Sequence, residues 1–174
     1  DVSDILEDHP NGGGWDLMIA HPPCTYLCSS GLHWNKRVAG RDRLTHEAML
    51  FIFNLIDAPI PRIALENPVG CISTNYRKPD QIIQPWQFGH PESKATCFWL
   101  RGLPLLQATN VLTIPPLGRW NNQTPSGRNK LGPSPTRWMD RSRTYQGLAD
   151  AMAEQWGTQN AIITHGLQEI MPLA

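Results

Sequence analysis

Apolar positions along the 174-residue chain fall into short runs separated by polar, proline-rich stretches. After Gly12-Gly13-Gly14, the run Trp15 to Ala20 (WDLMIA) is continuous and stops at His21-Pro22-Pro23, where prolines cannot donate to a ladder; this predicts a buried strand. The next residues, CTYLCSSGLHWNKR, have no period and read as a loop leaving the C-terminal end of that strand. From Arg43 to Ala58, Leu44, Ala48, Leu50, Phe51, Phe53, Leu55 and Ile56 recur with helical spacing until Pro59 and Pro61 end the pattern. Arg62 to Pro68 (RIALENP) predicts a second buried strand. Strand, loop, helix and strand of this length make a βαβ unit, whose strands are expected to be parallel neighbours with a right-handed crossover.

A further strand is expected at Ala95 to Leu100 and a shorter one at Val111 to Ile114. Residues 115–140 are rich in proline and glycine without an apolar period, which predicts a long surface loop. Tyr145 to Trp156 places Leu148, Ala149, Met152, Ala153 and Trp156 on one helical face, with Thr144 as a cap and Gly157 as the stop. Residues 158–174 are weakly patterned and read as a loosely docked tail.

Charge changes this picture in one place. The chain has 15 basic and 15 acidic side chains, which by itself argues against a polyanion partner. Residues 101–143, however, hold seven of the basic ones and only one acid, Asp140. Such a cluster acts locally, because charges further apart than a Debye length of about 10 Å are screened. The domain organisation expected is therefore a core over residues 1–100, a basic loop over 101–143, and a helix with its tail over 144–174 that returns to the core. No apolar run approaches the ~20 residues of a membrane span, and the acidic start DVSDILEDHP lacks the character of a signal peptide, so a soluble intracellular protein without a membrane partner is expected. In that setting Cys24, Cys28, Cys71 and Cys97 read as reduced thiols, a metal site or a nucleophile before they read as disulfides.

In open parallel α/β sheets ligands bind beyond the carboxyl ends of the strands. The first strand delivers His21-Pro22-Pro23-Cys24 there and the second Glu66-Asn67-Pro68, so a thiol and a carboxylate are expected on one rim. That combination suits covalent attack coupled to proton transfer. These segments resemble the cytosine-5 DNA methyltransferases, closest to the small methyltransferase-like proteins of phages and prophages. IAHPPCTYLCSSG is similar to that family's catalytic Pro-Cys loop, ALENPVG to its Glu-Asn motif, and QFGHPESKATCFWL to its aromatic-Gly-x-Pro-Gln-x-Arg-x-Arg motif. TYQGLADAMAEQW is similar to its C-terminal helix, and the order holds from Asp16 to Trp156.

The resemblance implies a Rossmann-like, S-adenosylmethionine-dependent methyltransferase fold, with a mostly parallel sheet flanked by helices. It implies that Cys24 adds to cytosine C6, that Glu66 protonates or hydrogen-bonds N3, and that Asn67 holds the loop or the base edge. Lys94 would help to activate the thiol, since a free thiol has a pKa of about 8.5. Asp1, in an acidic segment like the one after the family's second strand, and His21, Pro22 and Pro23 would face S-adenosylmethionine. DNA is the implied partner, contacted by Tyr26 and Ser29 near the base and by Arg119, Arg128, Lys130, Arg137 and Arg141 in the basic loop, interleaved with Trp120 and Trp138. Tyr26, Trp34 and Trp86 are candidates to stack on an extruded base. The implied location is the cytoplasm of a bacterial or phage-infected cell.

The chain departs from the family pattern at three points. Glu92, Lys94 and Thr96 stand where the family has Gln, Arg and Arg, and lysine keeps the charge without the planar fork. The glycine-rich first strand and loop are missing, so the fold is expected without its first βα units. The segment 101–140 is short for a target-recognition domain. Two other readings remain open. His-Pro-Pro followed by an aromatic is similar to the Asp/Asn-Pro-Pro-aromatic loop of amino-methyltransferases acting on adenine N6 or cytosine N4, which need no thiol. Alternatively the protein binds nucleic acid without catalysis, either as an inactive homologue or around a zinc ion held by His21, Cys24, Cys28 and His33; no metal is expected on the first reading.

Overall fold

The computed structural model describes residues 14–132 and 134–157, apart from the side chain of Trp138. They divide into two compact units: one comprises the residues up to Ile83 with Ala95–Leu105, the other Gln84–Lys94 with the residues from Leu106 onward. Asp1, the Gly12-Gly13 pair and the tail from 158 onward lie outside the described residues.

The first unit contains β1 (Leu17–Ala20), a single turn α1 (Ser29–Leu32) continued by a 3₁₀ turn (His33–Lys36), α2 (Arg41–Ile56), β2 (Arg62–Pro68), a short α3 (Ile72–Asn75), β3 (Gln81–Ile83) and β4 (Thr96–Arg101). The four strands form a mixed α/β sheet in the order β1-β2-β4-β3. β1 and β2 are parallel neighbours, in the register Leu17↔Arg62 to Ala20↔Leu65, as the βαβ pattern requires. The expectation of a mostly parallel sheet does not hold for the pairing. β4 runs antiparallel to both β2 and β3, so two of the three strand pairs are antiparallel. The reason is local: β4 is inserted in the reverse direction between β2 and β3, while β1, β2 and β3 share one direction.

β2 lies inside the sheet, and Ile63, Ala64 and Leu65 are at most 2% exposed, which accounts for its unbroken apolar run. One face of α2 covers it with Met49, Ile52 and Leu55, which join Leu27, Leu65, Cys71, Ile72, Cys97 and Trp99 in the core. This face is rotated from the expected one, since Leu50 and Phe51 are 50% and 39% exposed. The end of α2 is closed by Arg101, whose guanidinium donates to the carbonyls of Ile56, Ala58 and Ile60. A cation there satisfies orphan carbonyls and opposes the negative end of the helix dipole. Arg101, one of the basic residues of the stretch 101–143, is thereby engaged at the end of α2.

The second unit contains a 3₁₀ turn (Pro85–Gln87), α4 (Arg137–Ser142) and α5 (Gln146–Gly157). α4 is an element the loop reading of 115–140 missed. Leu148, Ala151, Met152 and Trp156 of α5 are buried, and Trp86 stacks on Trp120 with centroids 5.8 Å apart and an interplanar angle of 6°. Val111 to Ile114 is not a strand. Leu112 N–H donates to the Trp86 carbonyl, Val111 and Ile114 are 63% and 58% exposed, and Pro115 and Pro116 preclude further pairing. No described helix is long and apolar enough to cross a membrane.

Gly70, two residues beyond β2, is the tightest point of the first unit: a Cβ there would stand 2.0 Å from the Leu27 carbonyl oxygen and 2.8 Å from Cys28 Cα. Gly70→Ala is therefore expected to force two backbones apart and lower unfolding stability by about 2 kcal/mol or more, read by urea denaturation; a change within about 0.5 kcal/mol would show that the loops yield freely.

Candidate functional site

The loops leaving β1 and β2 are bound to each other by backbone hydrogen bonds. Ser29 N–H donates to the Val69 carbonyl at 3.0 Å and Cys71 N–H to the Leu27 carbonyl at 2.8 Å, with Cys28 and Gly70 bridged between them. The β1 loop is also a tight turn, because the N–H groups of Leu27 and Cys28 both donate to the Cys24 carbonyl, at 3.0 and 2.9 Å. On its far side Arg41 donates to the Thr25 carbonyl and lies 4.8 Å over the Tyr26 ring, and Thr45 Oγ1 donates to the Tyr26 carbonyl.

Extending the register beyond Ala20↔Leu65 sets His21 beside Glu66. His21 Nδ1 and Glu66 Oε2 are 3.0 Å apart, with His21 partly exposed and Glu66 largely covered. Asn67 is buried, and its Nδ2 donates to the Pro22 carbonyl at 3.0 Å, tying the end of β2 to the loop that carries Cys24. Its Oδ1 is buried and has no protein partner. Pro22 is buried, whereas Pro23, Cys24 and Ser29 are exposed.

Cys24 is exposed, yet its thiol is hard to ionise. The Cys28 side chain hydrogen-bonds to it, and partial burial and the charges of Cys28 and Glu66 add to the effect, so its pKa is pushed far above the ordinary thiol range. Cys28 Sγ lies 3.2 Å from Ser30 Oγ. Cys71 and Cys97 are buried thiols whose pKa values are raised chiefly by burial. In the sequence Cys28 reads as a reduced thiol or a zinc ligand and not as a hydrogen-bond partner of Cys24. The available signal was its spacing: Cys24 and Cys28 are four apart, one helical turn.

The remaining candidates are distributed as follows. Lys94 belongs to the second unit, where its ammonium stands 5.7 Å from the centroid of the Tyr145 ring. There Tyr145 Oη donates to Glu92 Oε2 at 2.6 Å, and burial, followed by that carboxylate, raises the phenol's pKa beyond its usual range. Arg128 and Arg141 are exposed, Arg119 is half-buried, and Arg137 is half-buried with its Nε lacking a partner. Trp120 is 8% exposed and stacked on Trp86, while Trp34, 45% exposed, has the Arg37 guanidinium 5.7 Å from its ring centroid. Among the described residues no three His, Cys, Asp or Glu side chains are grouped as a metal ion would need, and His33 packs against Trp34 at 4.9 Å, so the zinc arrangement does not form.

S-adenosylmethionine requires a carboxylate for its ribose hydroxyls and a backbone turn that admits its bulk. Asp1 lies outside the described residues, His21 is engaged with Glu66, and the Pro22 carbonyl with Asn67. The chain matches no protein-family profile, and no curated protein is significantly similar to it.

Because the Cys28 side-chain hydrogen bond raises the Cys24 pKa, Cys28→Ala is expected to lower it and raise the alkylation rate of Cys24 by iodoacetamide at pH 8 several-fold, followed by mass spectrometry. In the unsubstituted protein that rate should climb about tenfold per pH unit, because the thiolate fraction grows so long as pH stays below the pKa. Equal rates in the two proteins would show that Cys28 does not raise the Cys24 pKa.

Proposed function

We propose that the chain acts on a pyrimidine ring of DNA by cytosine-5 methyltransferase chemistry, on a Rossmann-like core. The observation that carries this reading is the parallel register of β1 and β2, which brings an exposed thiol and a carboxylate to the same rim of adjacent strands. The common direction of β1, β2 and β3 agrees with ligand binding at strand carboxyl ends. The basic residues beyond Arg101 supply a surface for phosphates.

In this chemistry the Cys24 sulfur forms a bond to C6, the C5–C6 double bond opens, and the electron pair moves through the ring to N3. The proton taken up at N3 comes from the pair His21–Glu66, whose 3.0 Å contact can hold one. The Cys24 proton passes to that same pair as the bond to C6 forms, so the pair ends as it began and the net transfer is one proton from sulfur to N3. Asn67 fixes the loop through the Pro22 carbonyl, so the sulfur keeps its place relative to Glu66. S-adenosylmethionine, which the family resemblance implies, would supply the methyl group to C5; the derivation from described residues ends at the covalent adduct.

An oligonucleotide carrying 2-pyrimidinone, which accepts a thiolate at C6 without a methyl donor, tests this directly. The expected result is a covalent complex mapped to Cys24 by mass spectrometry, lost in Cys24→Ser and reduced more than tenfold in Glu66→Gln. An adduct that persists in Cys24→Ser, or none with the folded full chain, would overturn the proposal. DNA methylation retained by Cys24→Ser would instead assign the amino-methyltransferase chemistry.

A further inference from the structure

The second unit contains an open cleft of about 590 Å³ whose lining combines the apolar Pro115, Pro116 and Leu117 with the cations Arg119 and Lys130. We infer that this cleft binds a single-stranded nucleic-acid segment, with phosphates on Arg119 and Lys130 and a base face against Leu117 and the prolines. The inference deepens the nucleic-acid reading above and rests on it.

Local structure prepares the cleft for such a ligand. Gly118 N–H donates to the Pro115 carbonyl at 2.7 Å, closing a turn with Gly118 at φ 65°, and Pro116 stiffens it. At this turn Leu117 is left 77% exposed, more than any other large apolar residue described. Trp120 is anchored in the stack on Trp86, and its N–H donates to Gln123 Oε1 at 2.9 Å. Residues 121–130 fold back on themselves: Gln123 bridges Asn129, Lys130 N–H donates to the Asn122 carbonyl, and Asn122 is tied to Ser93 through both its side-chain oxygen and nitrogen. Lys130 Nζ donates to the Asn121 carbonyl at 2.8 Å, which fixes the ammonium while leaving it two donors.

Charge and size select the occupant. No acidic residue is among those lining the cleft, so its two cations stand beside an apolar surface. A linear polymer that alternates anion and flat apolar face matches that combination, and nucleic acid with its bases unpaired is such a polymer. The volume falls within the ~300–1,000 Å³ of small-ligand pockets, room for a nucleotide or two.

The test is fluorescence anisotropy of a labelled oligothymidine and of a duplex of equal length, with the full chain across a salt series. Arg119→Gln/Lys130→Gln is expected to weaken oligothymidine binding at least tenfold at low salt and to reduce the slope of log affinity against log salt by ~1.4, for two single-strand phosphate contacts. Leu117→Ala, at an exposed position, should weaken binding several-fold with the slope unchanged, and both variants should change duplex binding less. An unchanged slope in the double variant overturns the inference. So does displacement of the strand by inorganic polyphosphate at equal phosphate concentration combined with no effect of Leu117→Ala, which would define a general anion site. Cys24→Ser separates this inference from the proposed chemistry: loss of the pyrimidinone adduct with wild-type binding of oligothymidine shows the cleft acting on its own.

Discussion

The first unit depends on one close approach, the Gly70 backbone against the Leu27 carbonyl, where a side chain of any size would collide. Because Gly70 lacks a Cβ, the loop beyond β2 can lie against the loop beyond β1 and exchange hydrogen bonds with it through Ser29 and Cys71. Strand pairing alone aligns β1 and β2 only as far as Ala20 and Leu65. The loop-to-loop bonding carries that alignment past the prolines, where a ladder cannot continue. Asn67 adds a buried side-chain bond across the same gap. The thiol and carboxylate of the candidate site are thus positioned by backbone structure on both sides.

The electrostatics of that site follow from the same compactness. The turn that makes Cys28 N–H a donor to the Cys24 carbonyl also brings the two thiols within reach of each other. Glu66 adds negative charge nearby, and both influences favour the neutral Cys24 thiol. His21 Nδ1 stands 3.0 Å from that carboxylate. The arrangement keeps Cys24 as a thiol and sets Cys28 and Glu66 beside it.

The second unit is organised by aromatic and polar contacts between segments far apart in sequence. Trp86 and Trp120 stack, Asn122 ties to Ser93, and Glu92 accepts from Tyr145. At Gly147, where a Cβ would stand 2.1 Å from the Phe88 carbonyl, the N–H donates to His90 Nε2 at 3.0 Å, so the start of α5 is capped by the segment around His90. A proline-rich stretch with little regular structure is held in this way, and its cations are presented on an ordered surface.

The sequence by itself determined the elements whose limits are chemical. Pro59, Pro61 and Pro68 bound α2 and β2, so β2 was legible at its full length, and the continuous apolar run showed that both its faces are covered. The strand-end positions of Cys24 and Glu66 followed from the same punctuation. Tertiary structure alone decided what depends on partners distant in sequence. β3 has only Ile83 buried in a three-residue strand, too short to show a period, and it exists because β4 pairs with it. The buried face of α2 is set by what it packs against, so Leu50 and Phe51 are exposed despite their hydrophobicity. Arg101 looks like a free cation in the sequence, yet three carbonyls at the end of α2 take it, and Trp120 looks like a stacking platform until Trp86 covers it. A residue's type restricts which bonds it can make, but packing chooses the partner, because a buried donor or apolar face left without one costs too much to persist.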